Sequence, residues 1–101
     1  MSSQTFSKLP LHDAVLTSVT LLWEQKSCHL ELFAFVQPGK PATPHLLEFN
    51  NVTQLVIPHQ EPWGPSVSVN SCSESSGTFS LAMQSGDTIE VVASGYSFAA
   101  L

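Results

Sequence analysis

The side chains that could do chemistry in this chain are four histidines, two cysteines and eight carboxylates. A zinc site needs three or four such ligands that converge in space, and it commonly includes close pairs such as Cys-x2-Cys or His-x3-His. No pair with these spacings occurs in the sequence, and the adjacent His12 and Asp13 would point to opposite faces of an extended segment. We therefore predict no metal site and no cofactor.

A Ser-His-Asp hydrolase is the second chemistry that the composition allows. Its sharp nucleophile turn, Gly-x-Ser-x-Gly, is missing, because Gly64-Pro65-Ser66 and Gly95-Tyr96-Ser97 both lack the final glycine. Cys28 and His29 cannot act as nucleophile and base either, since adjacent residues of a strand point to opposite faces. We predict no catalytic residue.

The most distinctive local motif is Pro62-Trp63-Gly64-Pro65. Its prolines fix the backbone on either side of the indole, so Trp63 has little conformational entropy left to lose on binding. We expect the indole to fold back and seal one end of the domain, with its N–H on a backbone carbonyl. The alternative is an exposed interaction hot spot or a sugar-stacking platform, with nearby polar contacts from His59, Glu61 and Asn70.

Short strands would position these side chains. Val15, Thr17, Val19, Leu21 and Trp23 recur at every second residue, which predicts a strand whose core-facing row includes Trp23. The same alternation and the intervening turn residues predict these strands: Val15–Trp23, Cys28–Val36, His45–Phe49, Val52–Ile57, Ser66–Cys72, Thr78–Met83 and Thr88–Ala93.

The pattern of about seven short strands is typical of an all-β fold. We predict a single-domain antiparallel β-sandwich or partly open barrel, with little or no helix. Residues 1–10 are predicted to be a flexible N-terminal lead-in, and residues 11–101 the single β-domain.

The second predicted strand breaks the rule of one apolar and one polar face. Leu30 and Leu32 fall on the face predicted to be buried, but Phe33 and Phe35 fall on the opposite, solvent-facing side. Phe33 and Phe35 therefore need cover from another element or form part of an interface.

Charged side chains are scarce: they make up 11% of the 101 residues, and Lys8, Lys26 and Lys40 face eight carboxylates, for a net charge of -5. So few cations cannot neutralise several phosphates, and we predict no nucleic-acid partner. The scarcity of cations also disfavours binding to an anionic membrane surface. No apolar run approaches the ~20 residues that a transmembrane helix needs, so we predict no membrane partner. The first ten residues lack the pattern of a signal peptide, so we expect a cytoplasmic protein in which Cys28 and Cys72 are buried thiols.

Several motifs together resemble a group of small uncharacterised bacterial proteins. They are His12-Asp13-Ala14 at the opening of a strand, Trp23 at its end, Phe49-x-x-Val52-x-x-Leu55, the segment Pro62–Asn70 and the turn Met83–Asp87. The likeness spans residues 11–93. These proteins are similar in general build to immunity proteins of polymorphic-toxin systems, which implies an all-β fold, a bacterial cytosolic setting and a protein partner. The resemblance assigns no functional residue.

These observations favour a non-enzymatic protein-interaction domain, immunity-like, whose acidic surface suits a basic protein partner or which self-associates as a homodimer through an edge strand. Trp63, Phe33 and Phe35 are the candidate contacts. The alternative is a small-ligand or carbohydrate-binding module that stacks its ligand on Trp63. A hydrolase or metalloenzyme ranks third.

Overall fold

The alternating side chains form short antiparallel strands in two four-stranded sheets. The computed structural model describes residues 5–101. In this part of the chain the strands are β1 (Val15–Leu22), β2 (Ser27–Ala34), β3 (Thr43–Asn50), β4 (Gln54–Val56), β5 (Val69–Ser75), β6 (Thr78–Met83), β7 (Thr88–Val92) and β8 (Gly95–Ala100). One turn of 3-10 helix, Phe6–Lys8, is the helical element of these residues, and none of their helices could cross a membrane.

The predicted all-β sandwich is confirmed, with no closed barrel. The order is β1-β2-β3-β8 in the first sheet and β4-β7-β6-β5 in the second. Eight strands occur in residues 5–101 instead of about seven, because the tail after Gly95 adds β8 to the edge of β3.

The facing sides of the two sheets supply the core. On β2, Cys28, Leu30, Leu32 and Ala34 are all buried, as the alternation predicts. Phe49 of the first sheet lies 5.2 Å from Phe79 of the second, measured between ring centroids. Burial of such aromatic and aliphatic side chains is the main force that holds the sheets together.

The prediction of which side chains of β1 face the core is wrong in part, because β1 contains a β-bulge. The bulge lies between Leu16, which pairs with Leu32, and Ser18, which pairs with Glu31. It adds one residue to the strand and so shifts the alternation. Leu16 packs against the core with Val19, and Thr17 is exposed.

Trp23 was predicted to pack in the core, and this prediction is wrong, since its side chain is 86% exposed. β1 ends at Leu22, and Trp23 opens a tight turn in which the Lys26 N–H donates to the Trp23 carbonyl at 3.3 Å. A turn residue does not continue the alternation of the strand before it, so the indole leaves the core row.

The segment before β1 contributes to the core. The sequence predicts residues 1–10 to be a flexible lead-in, and residues 1–4 of this range lie outside the described part of the chain. Phe6 is 3% exposed and Leu9 is 8% exposed. The half-buried Cys72 donates its thiol hydrogen to the Phe6 carbonyl at 3.2 Å. Burial raises the pKa of this thiol and of the fully buried Cys28, and both cysteines are free.

The two sheets are joined where residues 67–69 run antiparallel beside residues 14–16, at the start of β1. The Leu16 N–H donates to the Val67 carbonyl at 2.9 Å, and the Val69 N–H donates to the Ala14 carbonyl at 2.8 Å. β5 therefore begins at Val69, later than predicted, and Val67 is 60% exposed. Beyond Leu16, the described residues leave the outer edge of β1 without a strand partner.

Candidate functional site

The segment Pro58–Ser66, called the Trp63 loop below, lies between β4 and β5. Its prolines prevent regular strand pairing and restrict the backbone. Glu61 has a φ of 53°, and its carbonyl accepts a hydrogen bond from the Gly64 N–H at 3.0 Å, which closes a tight turn around Trp63. The backbone N–H of Trp63 donates to the Ser85 carbonyl at 2.9 Å, so this turn is fixed to the hairpin between β6 and β7.

Asp87 anchors the same loop through its carboxylate, in a residue that is only 6% exposed. Oδ1 accepts the Gln60 N–H at 2.9 Å, while Oδ2 accepts the Glu61 N–H at 3.0 Å and the Ser85 hydroxyl at 2.8 Å. The Gln60 hydrogen bond is the main cause that lowers the pKa of Asp87 below its ordinary value. The carboxylate is therefore ionised at neutral pH, and hydrogen bonds to an ionised acceptor are the stronger kind.

Trp63 itself is 77% exposed, so the prediction that it seals one end of the domain is wrong. The physical reason is the backbone attachment to Ser85, which holds the indole on the outside of the β6–β7 hairpin. Gly86 lies against the ring: a Cβ at this position would be 2.8 Å from Trp63 Cδ2 and 2.9 Å from Pro62 Cγ. Trp63 thus combines an exposed ring with a fixed position.

A cleft of about 210 Å³ opens beside the Trp63 loop. Its walls come from β1, from both ends of the loop and from the β6–β7 hairpin, and the lining residues are Leu16, Thr17, Ser18, Val19, Ile57, Pro58, His59, Ser66, Val67, Met83, Ser85, Asp87 and Ile89. Most of this wall is aliphatic, and Ile57 and Val67 remain 44% and 60% exposed. The cleft can therefore take an apolar side chain.

Two of the three predicted polar contacts lie in the Trp63 loop. His59 Nε2 is 3.8 Å from Glu61 Oε2, and this same Glu61 oxygen accepts the Ser66 N–H at 3.3 Å. Asn70 lies in β5 instead, where its carbonyl is 2.8 Å from His12 Nδ1. The described residues show no hydrogen bond between Asn70 and the loop, so the structure does not join it to Trp63.

Phe33 and Phe35 form a second exposed apolar area. They are 43% and 47% exposed, so no element of residues 5–101 covers them fully. Phe33 lies on β2 between Val15 of β1 and Pro44 of β3. Phe33 belongs to the first sheet and Phe35 follows the end of β2, whereas the hairpin that carries the Trp63 loop belongs to the second sheet.

The polar groups at the cleft hold the fold together. Ser85 donates its hydroxyl hydrogen to Asp87, and no hydrogen bond among residues 5–101 joins this serine to an imidazole. Within the same residues, no three His, Cys, Asp or Glu side chains come together as a metal site requires. The arrangement is suited to binding by shape and apolar contact, with the ionised carboxylate of Asp87 in the lining.

Sequence reasoning missed Ser85, Gly86 and Asp87 as anchors of the loop. The predicted strands Thr78–Met83 and Thr88–Ala93 require a turn at these residues, and the structure confirms this turn. The contact between this turn and the Trp63 loop depends on long-range packing. A single sequence carries no local signal for such a contact.

Comparisons with known proteins assign no family to the chain. No protein-family model matches it, and neither a curated protein nor a solved structure matches it.

Proposed function

We propose that this chain is a non-enzymatic protein-interaction domain that binds its partner with the Trp63 loop and the adjacent cleft. The observation that supports this most strongly is an indole that is 77% exposed on a backbone held by Ser85 and Asp87. Tryptophan is enriched among the residues that dominate binding energies, and a side chain that is already ordered loses little entropy on binding.

The partner in this proposal inserts one aliphatic or aromatic side chain into the cleft and covers Trp63. Asp87 lines the cleft and Glu61 lies next to it, and the chain as a whole has a net charge of -5. The negative electrostatic potential of these carboxylates favours a partner with a basic surface, mainly because it speeds the association of the two proteins. A basic toxin is the partner that the resemblance to immunity proteins would imply.

A small-ligand or carbohydrate-binding module is the second candidate. His59 and Glu61 stand in the same loop as Trp63, and sugar sites combine an aromatic ring with polar groups in this way. The support is weaker, because Asp87 and Glu61 already accept backbone hydrogen bonds. The cleft, at about 210 Å³, is also smaller than the ~300–1,000 Å³ of most small-molecule pockets.

Replacing Trp63 with alanine is expected to weaken partner binding by about 30-fold or more, because hot-spot tryptophans contribute about 2 kcal/mol or more. Proteins enriched on the immobilised wild-type domain supply the partner, and titration calorimetry then gives Kd for each variant. Trp63→Phe should retain most of the affinity, since it keeps an aromatic ring. Trp23→Ala is the matched control, because this second exposed tryptophan lies outside the loop.

Equal Kd values for wild type and a folded Trp63→Ala variant would remove Trp63 from the binding surface. If no protein is enriched and a glycan array instead yields a ligand that requires Trp63, the second candidate replaces the first. Circular dichroism of each variant establishes that the domain is folded.

A further inference from the structure

β1 presents an edge that another strand can extend. Its outer side has no strand partner beyond Leu16 among the described residues. All eight of its residues are uncharged, and it contains neither lysine nor proline, the residues that usually keep an edge strand from pairing with another chain. The bulge is confined to Thr17, so Ser18–Leu22 is regular strand.

The other three sheet edges in residues 5–101 are less suited to pairing. β4 has only three residues. β5 carries Glu74 and packs against the helical turn Phe6–Lys8. β8 is uncharged, but it is shorter than β1, begins at Gly95 and presents Ser97 and Ala99 on one face, which offer little apolar surface.

We propose that β1 pairs antiparallel with β1 of a second copy of this chain, across a two-fold axis at Thr20, so that the two first sheets join into one. The proposal goes beyond the proposed function, because the Trp63 loop is not part of the paired edge. Ser18 and Val19 of this edge also line the cleft, so a second copy and a bound partner would compete for this wall. A chain with a net charge of -5 repels its own copies. Contact through an uncharged strand keeps the carboxylates of the two copies out of the paired segment.

The register follows from the faces of the strand. Val19 and Leu21 pair within their own sheet with the buried Leu30 and Cys28, so both point toward the core side. Residues directly opposite each other in an antiparallel pair share a face. With Thr20 on the axis, Val19 lies opposite Leu21 of the second copy, and the two core-side rows become continuous.

The same register gives the exposed Trp23 a position. Leu22 of the second copy lies opposite Ser18, so the turn that begins at Trp23 falls next to Thr17, beside the point where Val67 is bonded to Leu16. Trp23 is 86% exposed and Val67 is 60% exposed in the single chain. The two-fold axis repeats this arrangement at the other end of the paired segment. The regular segment available for pairing, Ser18–Leu22, is short, which predicts a weak, concentration-dependent dimer.

Sedimentation velocity over a wide range of protein concentration tests the proposal. Wild type should shift from monomer to dimer as concentration rises. Thr20→Lys and Thr20→Glu should each lose the dimer, because each places like charges opposite one another at the axis. An equimolar mixture of these two variants should regain it. Ser73→Lys, an exposed substitution in β5, and Trp63→Ala should dimerise like wild type.

Three results would overturn the proposal: a wild-type chain that stays monomeric throughout, a Thr20→Lys variant that dimerises like wild type, or a mixture that stays monomeric. Loss of the dimer in Trp63→Ala would also overturn it, since the Trp63 loop would then be the contact between copies. Thr20 is exposed, so its variants leave the core unchanged, and their melting curves check this.

Discussion

Replacing Phe6 with alanine is expected to lower the free energy of unfolding by about 3–5 kcal/mol, the usual cost of truncating a buried phenylalanine. Phe6 is 3% exposed, and its ring centroid lies 5.0 to 5.9 Å from those of Phe49, Phe79 and Tyr96. These three rings belong to both sheets. The substitution would therefore open a cavity between the sheets. Urea denaturation followed by circular dichroism measures the change.

Ser7→Ala is the matched control, because Ser7 lies in the same helical turn and is exposed. We expect its effect to stay within about 0.5 kcal/mol, as is usual for surface substitutions. A Phe6→Ala variant as stable as Ser7→Ala would mean that this turn is not docked in solution, and that the domain begins near residue 11.

Replacing Gly86 with alanine is expected to destabilise the domain and also to displace the Trp63 loop. Gly86 lies in the loop of the β6–β7 hairpin and has a φ of 94°, a backbone conformation that costs an alanine about 1–3 kcal/mol. The added methyl would also lie 2.8 Å from Trp63 Cδ2 and 2.9 Å from Pro62 Cγ, so the loop must shift. Thermal unfolding and the tryptophan emission spectrum report the two effects.

Gly39→Ala separates backbone strain from the contact with the loop. Gly39 has a φ of 74°, but a Cβ there would meet no atom within 4 Å. We expect Gly39→Ala to lower stability through strain alone and to leave partner binding unchanged. If Gly86→Ala is no more destabilising than this control and leaves the emission of Trp63 unaltered, the indole does not rest on the hairpin.

The parts of the fold that could be predicted from the sequence are those set by local alternation. On β2, Leu30 and Leu32 are buried and Phe33 is exposed, as the two-residue period requires. β1 shows the limit, because its bulge changes the side on which residues lie, and no residue of Val15–Leu22 signals where an extra residue enters the pairing. Trp23 is misplaced for a different reason: β1 ends at Leu22, so the alternation does not extend to Trp23.

The candidate site could be located from the sequence but not assembled from it. Pro62 and Pro65 mark a rigid loop, and His59, Glu61 and Trp63 do lie in it. The exposure of the indole depends on hydrogen bonds to Ser85 and Asp87, which are far away in the chain. Such contacts arise from the packing of the β6–β7 hairpin, which has no local signature near Trp63.

Time-resolved fluorescence anisotropy of a Trp23→Phe variant tests most directly whether Trp63 is both exposed and fixed. This substitution leaves Trp63 as the single tryptophan of the chain. We predict emission that is readily quenched by acrylamide, and an anisotropy that decays mainly with the tumbling of the whole domain. Asp87→Ala in the same background should add a fast local decay, since it removes the carboxylate that holds Gln60 and Glu61. Emission shielded from the quencher, or a dominant fast decay with Asp87 intact, would contradict a pre-formed Trp63 binding surface.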